Sequence, residues 1–163
     1  MKTLVKAKHV TGLAAAALMF SFGCGGAPGE ELEETSELGT TQAAATYEGV
    51  AIADSLDEEF RRIDQQSEQG NHLWVRAKNR NLQRIVIDDP LWCGGIQAQG
   101  CYYPTLDKIG YDRDVLSTNR KWQVVIHELV HAAGYNPHGD DQWRVGRVCN
   151  QLGVCCPNWN NLC

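Results

Sequence analysis

Apolar positions along the chain follow two periods. Ile52, Leu56, Phe60 and Ile63 are separated by four, four and three residues, one face of a 3.6-residue repeat, which predicts a helix over 51–69. Gly70-Asn71 reads as its stop. Leu73 to Ala77 and Leu82 to Ile87 are short β-prone runs around the turn residues Asn79-Arg80-Asn81 and predict two strands. Residues 88–105 hold Pro90, Gly94, Gly95, Gly100 and Pro104 and read as a loop. Ile109 to Asp112 is a candidate third strand. Ser117, Thr118 and Asn119 offer helix caps, and a helix follows from Arg120 to about Ala133, with Gly134 and Pro137 as its stop. Gly139-Asp140-Asp141 then caps a last helix through Leu152, ended by Gly153, with Trp143, Val148 and Leu152 as its buried side. Mixed short strands and helices in this order predict an α+β domain in which a short sheet packs against the helix at 120–133, with further helices on either side in the chain.

Only the N-terminus carries a long apolar stretch. Val10 to Gly23 spans 14 residues behind Lys2, Lys6 and Lys8. A membrane span needs about 20, so residues 1–23 read as a secretory signal. The segment ends Ser21-Phe22-Gly23-Cys24 and resembles a bacterial lipobox, in which the cysteine is lipid-modified; Ser21 stands where lipoboxes carry leucine, and ordinary cleavage after Ala27 is the alternative. Residues 24–46 hold five glutamates, glycines and no basic residue, and read as an acidic tether. The folded domain is then 47–163.

Composition narrows the function. The chain of 163 residues has a net charge of −5, and residues 47–163 carry 12 basic and 15 acidic side chains, so 12 − 15 = −3. No basic stripe is present, which argues against nucleic acid as a partner and leaves Cys24 as the only membrane attachment. Seven cysteines are present. With Cys24 set aside, six remain in a chain bound for an oxidising compartment, enough for three disulfides. Cys93 with Cys101 is the local pair expected; adjacent Cys155 and Cys156 are expected to take different partners. No pair of CxxC motifs suggests a cysteine metal site. The expected location is the cell envelope, periplasmic or at the cell surface, or otherwise secreted.

Residues 127–131 read His-Glu-Leu-Val-His. On a helix, i and i+4 share a face about 6 Å apart along the axis, so His127 and His131 can bind one cation, expected to be Zn²⁺. Glu128 lies about 100° round, placed to act as a general base on water rather than as a ligand. Glu128 is the last glutamate in the chain, which excludes a downstream glutamate as third ligand. The metzincin pattern HExxHxxGxxH matches at His127, Glu128, His131 and Gly134, but Pro137 occupies the third histidine position and no methionine follows Met19. His138 is the third ligand expected. Asp140 or Asp141 are the alternatives, although they are better placed to cap the last helix or to orient His138. Tyr135 and Arg144 are candidates for stabilising an oxyanion, while His72 has no partner at ligand spacing and the five tryptophans read as packing anchors.

The stretch from Ile109-Gly110-Tyr111 through VVIHELVHAAG and His138-Gly139 to Trp143 and Gln151-Leu152-Gly153 resembles the SprT-like metallopeptidases. In that family HExxH is followed by a loop, a His-Gly pair and an aromatic residue. The resemblance implies a small zincin-like α+β domain, zinc held by His127, His131 and His138, Glu128 as catalytic base, and a protein or peptide substrate. It covers about 45 residues. The chain departs from the family in its short loop between the last two histidines and in the tail CCPNWNNLC, which stands where a zinc ribbon is usual. A non-catalytic, zinc-stabilised surface binding module is the alternative function.

Overall fold

The computed structural model describes residues 44–160 and 162–163. The signal, Cys24 and most of the tether lie outside the described residues. Seven strands and four helices follow one another: β1 (Ala44–Tyr47), β2 (Val50–Ala53), α1 (Asp57–Gln66), α2 (Glu68–Asn79), β3 (Arg84–Asp88), β4 (Trp92–Cys93), β5 (Ile96–Gln97), β6 (Gly100–Tyr103), β7 (Lys108–Asp112), α3 (Lys121–Ala132) and α4 (Trp143–Leu152). Five strands form one mixed sheet in the order β1-β2-β3-β7-β6. Strands β2, β3 and β7 run parallel, while β1 and β6 close the edges antiparallel. The α+β class is as expected.

The N-terminal third differs from expectation. Ile52 belongs to strand β2, not to a helix, and the helical register begins only at Leu56. The β1–β2 hairpin turns at Glu48 and Gly49, both at positive φ (48° and 88°), the conformation a tight two-residue hairpin needs. The expected strand over Leu73–Ala77 is part of α2, where Leu73, Trp74 and Ala77 are buried at helical spacing. Gly70 does not stop a helix. It sits in the first turn of α2, and a Cβ there would come within 2.3 Å of the Ile63 carbonyl oxygen, so its absence lets the two helices approach. The break between them falls at Ser67, whose extended backbone (φ −133°, ψ 118°) and hydroxyl, accepting from Gly70 N at 2.8 Å, cap α2.

Residues 88–105, expected to be a loop, hold three short strands, β4, β5 and β6, because β6 pairs with β7 at the edge of the sheet and β4 with β5 in a small hairpin. The other elements lie close to expectation. Strands β3 and β7 pair over five residues in the centre of the sheet. Helix α3 packs on β6 and β7 and is flanked by α2 and α4. Val125, Ile126, Leu129 and Val130 of α3 join Ile85, Ile109 and Tyr111 of the sheet in one core. Burying such aliphatic side chains contributes about 1.5–3 kcal/mol each, an upper figure for a compact unfolded chain. Helix α4 differs in one respect: Val148 and Leu152 are buried, but Trp143 is 45% exposed. The cysteines pair as Cys93–Cys101, Cys149–Cys156 and Cys155–Cys163. The first joins β4 to edge strand β6 and pins the 88–105 segment. Three disulfides fit an oxidising, extracytoplasmic setting. Among the described residues no helix is long and apolar enough to cross a membrane.

Candidate metal centre

Helix α3 places His127 and His131 on one face, with ring centroids 5.1 Å apart. Its buried residues fix its rotation, and the Tyr111 hydroxyl donates to the Val125 carbonyl at 3.0 Å, fixing its height on the sheet. The helix ends at Gly134 in the left-handed region (φ 81°). Arg76 Nε donates to the Ala133 carbonyl at 2.7 Å, a cation at the negative end of the helix. The Arg80 guanidinium fills the space where a Cβ of residue 134 would lie.

The chain then turns back and delivers His138. This loop is held by hydrogen bonds in series. His138 N donates to Asn136 Oδ1 at 3.1 Å, Asn136 N donates to Asp141 Oδ2 at 3.2 Å, and Arg144 Nε on α4 donates to Asp141 Oδ1 at 2.9 Å. The Arg144 guanidinium also lies 3.8 Å over the Tyr135 ring. Asp141 is therefore not a helix cap: Gln142 occupies that position and makes no side-chain cap bond. Nor is it a ligand. It orients the loop that carries His138.

His127 Nε2 and His131 Nε2 each lie 3.3 Å from His138 Nε2. One donor atom from each of the three histidines falls within 4.8 Å of the others. Nitrogen ligands at about 2.0–2.1 Å on the corners of a tetrahedron are about 3.3–3.4 Å apart. Three imidazole nitrogens converging at that spacing fit one tetrahedral metal ion with one corner left open. Burial, then the proximity of His131 and His138, pushes the His127 imidazole down to about 4. Burial and then His138 lower His131 as well. Both rings are thus held neutral, the form that binds metal.

Glu128 stands beside this group but outside it. It is 7% exposed and packs against Gly100 of β6. Burial pushes its carboxyl up to about 7, opposed by a hydrogen bond from the Tyr102 backbone. A cleft of about 230 Å³ opens along Glu128 and His127, walled by Gln99, Gly100, Arg120, Gln123 and Val124. The structure thus brings together all four residues the sequence singled out.

Tyr135 and Arg144 take another role. The Tyr135 hydroxyl is bonded to His72 Nε2 at 3.0 Å, the Arg76 and Arg144 guanidiniums lie over its ring, and neither Tyr135 nor Arg144 lines the cleft. They brace the His138 loop. The polar residues that do line the cleft, Gln99, Arg120 and Gln123, were not picked out from sequence. Gln123 carried a faint signal, because it lies one turn before His127 on the same helix. Gln99 carried none, since only the folding of β6 beside α3 brings it there. Comparison with protein-family models, with curated proteins and with solved structures finds no match to this chain.

Proposed function

We propose that the chain is an exported zinc metallopeptidase of the SprT-like, zincin type, anchored through a lipid on Cys24, with a protein or peptide as substrate. The observation that carries this reading is the pairing of a three-histidine cluster at tetrahedral spacing with a buried carboxylate beside His127 on the wall of a cleft. A structural metal site would normally be closed by a fourth protein ligand; this set is the three-ligand kind found in catalytic sites.

His127, His131 and His138 would hold the zinc. The ion, when bound, supplies Lewis acidity that polarises the scissile carbonyl and acidifies water to a pKa of about 7. Glu128 takes the proton of the attacking water. It then gives that proton to the leaving amine as the C–N bond breaks, so a carboxyl poised near neutral pH suits both halves of the task. Gly100 lets Glu128 sit close to the sheet edge, and Tyr102 fixes the carboxylate through its backbone N–H. Edge strand β6 runs beside the cleft, so an extended peptide can be read by main-chain hydrogen bonding as well as by side chains.

The test uses the oxidised, full-length chain. Zinc should bind at one ion per chain, and cleavage of casein should disappear with a chelator and return with zinc. Glu128→Gln should keep the zinc and lose at least about 100-fold in activity. Full activity in Glu128→Gln, or no zinc bound by the native chain, would overturn the reading.

A further inference from the structure

Two cations sit at the start of α3, and they differ in their partners. Lys121 is paired with Glu59 of α1. Arg120, the residue before α3, lines the cleft, and among the described residues no carboxylate pairs with it. It lies at the positive end of the helix dipole, which adds to its pull on an anion. Beside it, Gln123 Oε1 is buried without a hydrogen-bond partner. A buried amide oxygen left unpaired is unfavourable, and Gln123 also lines the cleft, so a turn of its side chain would let a ligand N–H satisfy it. Gln99 supplies a second amide on the opposite, strand side. Of the acids nearby, Asp112 accepts from Leu91 N and Asp114 N, and Glu128 lies eight positions further along the same helix.

From these residues we infer that the cleft is a subsite for an acidic side chain of the peptide substrate, with Arg120 as the residue that selects it. Arg120 and Glu128 are eight positions apart, so about 12 Å along the helix axis separates their backbones. An arginine side chain reaching back along the cleft meets a carboxylate one or two residues from the scissile bond, at about 3.3 Å per extended residue. The guanidinium offers paired N–H donors to the carboxylate, and the Gln123 amide closes on the neighbouring substrate backbone. The inference deepens the peptidase reading and rests on it for the direction of the peptide.

The experiment separates the two. Fluorescein-labelled alanine heptapeptides with Glu, Gln or Lys at the third, fourth or fifth position are titrated with the zinc-loaded Glu128→Gln chain and followed by anisotropy, and the native chain is assayed for cleavage of the same peptides. A charge-assisted contact should make the best Glu peptide bind about 10-fold tighter than its Gln counterpart, with Lys weaker still. Arg120→Gln should flatten this order, and Arg120→Glu should reverse it in favour of Lys. The same order should appear in kcat/KM for the native chain. Equal binding of the Glu and Gln peptides, an order unmoved by Arg120→Glu, or no peptide binding at all would overturn the subsite. A Glu preference that depends on Arg120 without any cleavage would keep the subsite and sink the peptidase reading.

Discussion

Gly100 lies directly against Glu128. A Cβ built on residue 100 would stand 2.7 Å from Glu128 Cγ, 2.9 Å from its Oε1 and 2.8 Å from Val124 Cγ1. The edge strand and the helix therefore meet at a point where one methyl group has no room, and the carboxylate's position is set by that contact. Gly100→Ala should push Glu128 aside while leaving the three imidazoles untouched. The expected result is a fall in kcat/KM of about 10- to 100-fold, the scale of a misplaced catalytic group, with zinc affinity unchanged. Zinc titration beside a peptide-cleavage assay checks both halves, and a parallel loss of zinc would show that the contact supports the whole centre.

The bonds that hold the His138 loop should be visible in metal affinity. Asn136→Ala removes the acceptor of His138 N, and Asp141→Ala removes the acceptor of Asn136 N. Each should weaken zinc binding about 10- to 100-fold, as loss of a ligand-orienting group does. His138→Ala should weaken it more than either. Competition against a chelator of known affinity ranks the three, and native affinity in Asn136→Ala would mean that the loop is ordered without this bond.

In the metal-free protein, Glu128 and His127 should tilt stability in opposite directions with pH. Glu128 titrates near 4.5 when unfolded and at about 7 when folded. Between those values the unfolded chain gives up a proton that the folded chain keeps, so stability falls as pH rises, by on the order of 1–3 kcal/mol for a buried carboxyl. His127 titrates near 6.5 when unfolded and at about 4 when folded, so stability falls as pH drops through that window. The two slopes oppose each other in the native sequence, and the lowered His131 adds to the histidine side. Glu128→Gln should unmask the histidine slope, giving a chain more stable than native at pH 8 and losing stability from pH 6.5 down to 4. Urea denaturation of the two chains in chelator across this range provides the check.

The disulfides should not be equal in weight. Cys149 and Cys156 are fully buried in the core, whereas Cys163 is exposed at the C-terminus. Each bridge closes only a short loop, seven residues in the first case and eight in the second. Loop entropy alone gives about 2–3 kcal/mol for either. Replacing both Cys149 and Cys156 by alanine adds lost packing, and should cost about 1 kcal/mol more than the Cys155/Cys163 pair in urea denaturation.

Much of the centre was readable in the sequence because it is local. His127, Glu128 and His131 share one amphipathic helix, and His138 follows within the next turn of chain, so helix geometry and two stop signals suffice. The misreadings came where the pattern was short or crossed an element boundary. Ile52 points into the core from a strand, and its spacing to Leu56 happens to continue the helical period of Phe60 and Ile63. Leu73 to Ala77 is five residues long, too few to tell a half-buried strand from one turn of α2. The hydrophobicity of Trp143 suggests burial, yet the Arg144 and Arg147 guanidiniums lie over its ring at the surface. Gly100 and Gln99 reach the site only through the pairing of β6 with β7, which no periodicity in residues 88–105 announces.

That difference in origin has a kinetic consequence. The nitrogen atoms that converge at the centre come from residues at most 11 positions apart, so their loop-closure cost is small and they can assemble as soon as α3 and the following turn form. The contact that seats Glu128 needs a strand from well upstream, docked through the central sheet. A refolding chain can therefore gather its three imidazoles with a shorter loop closed than the contact between Gly100 and Glu128 requires. On the peptidase reading, a chain with its imidazoles gathered but its sheet still open would hold a metal without the seated carboxylate that activates water.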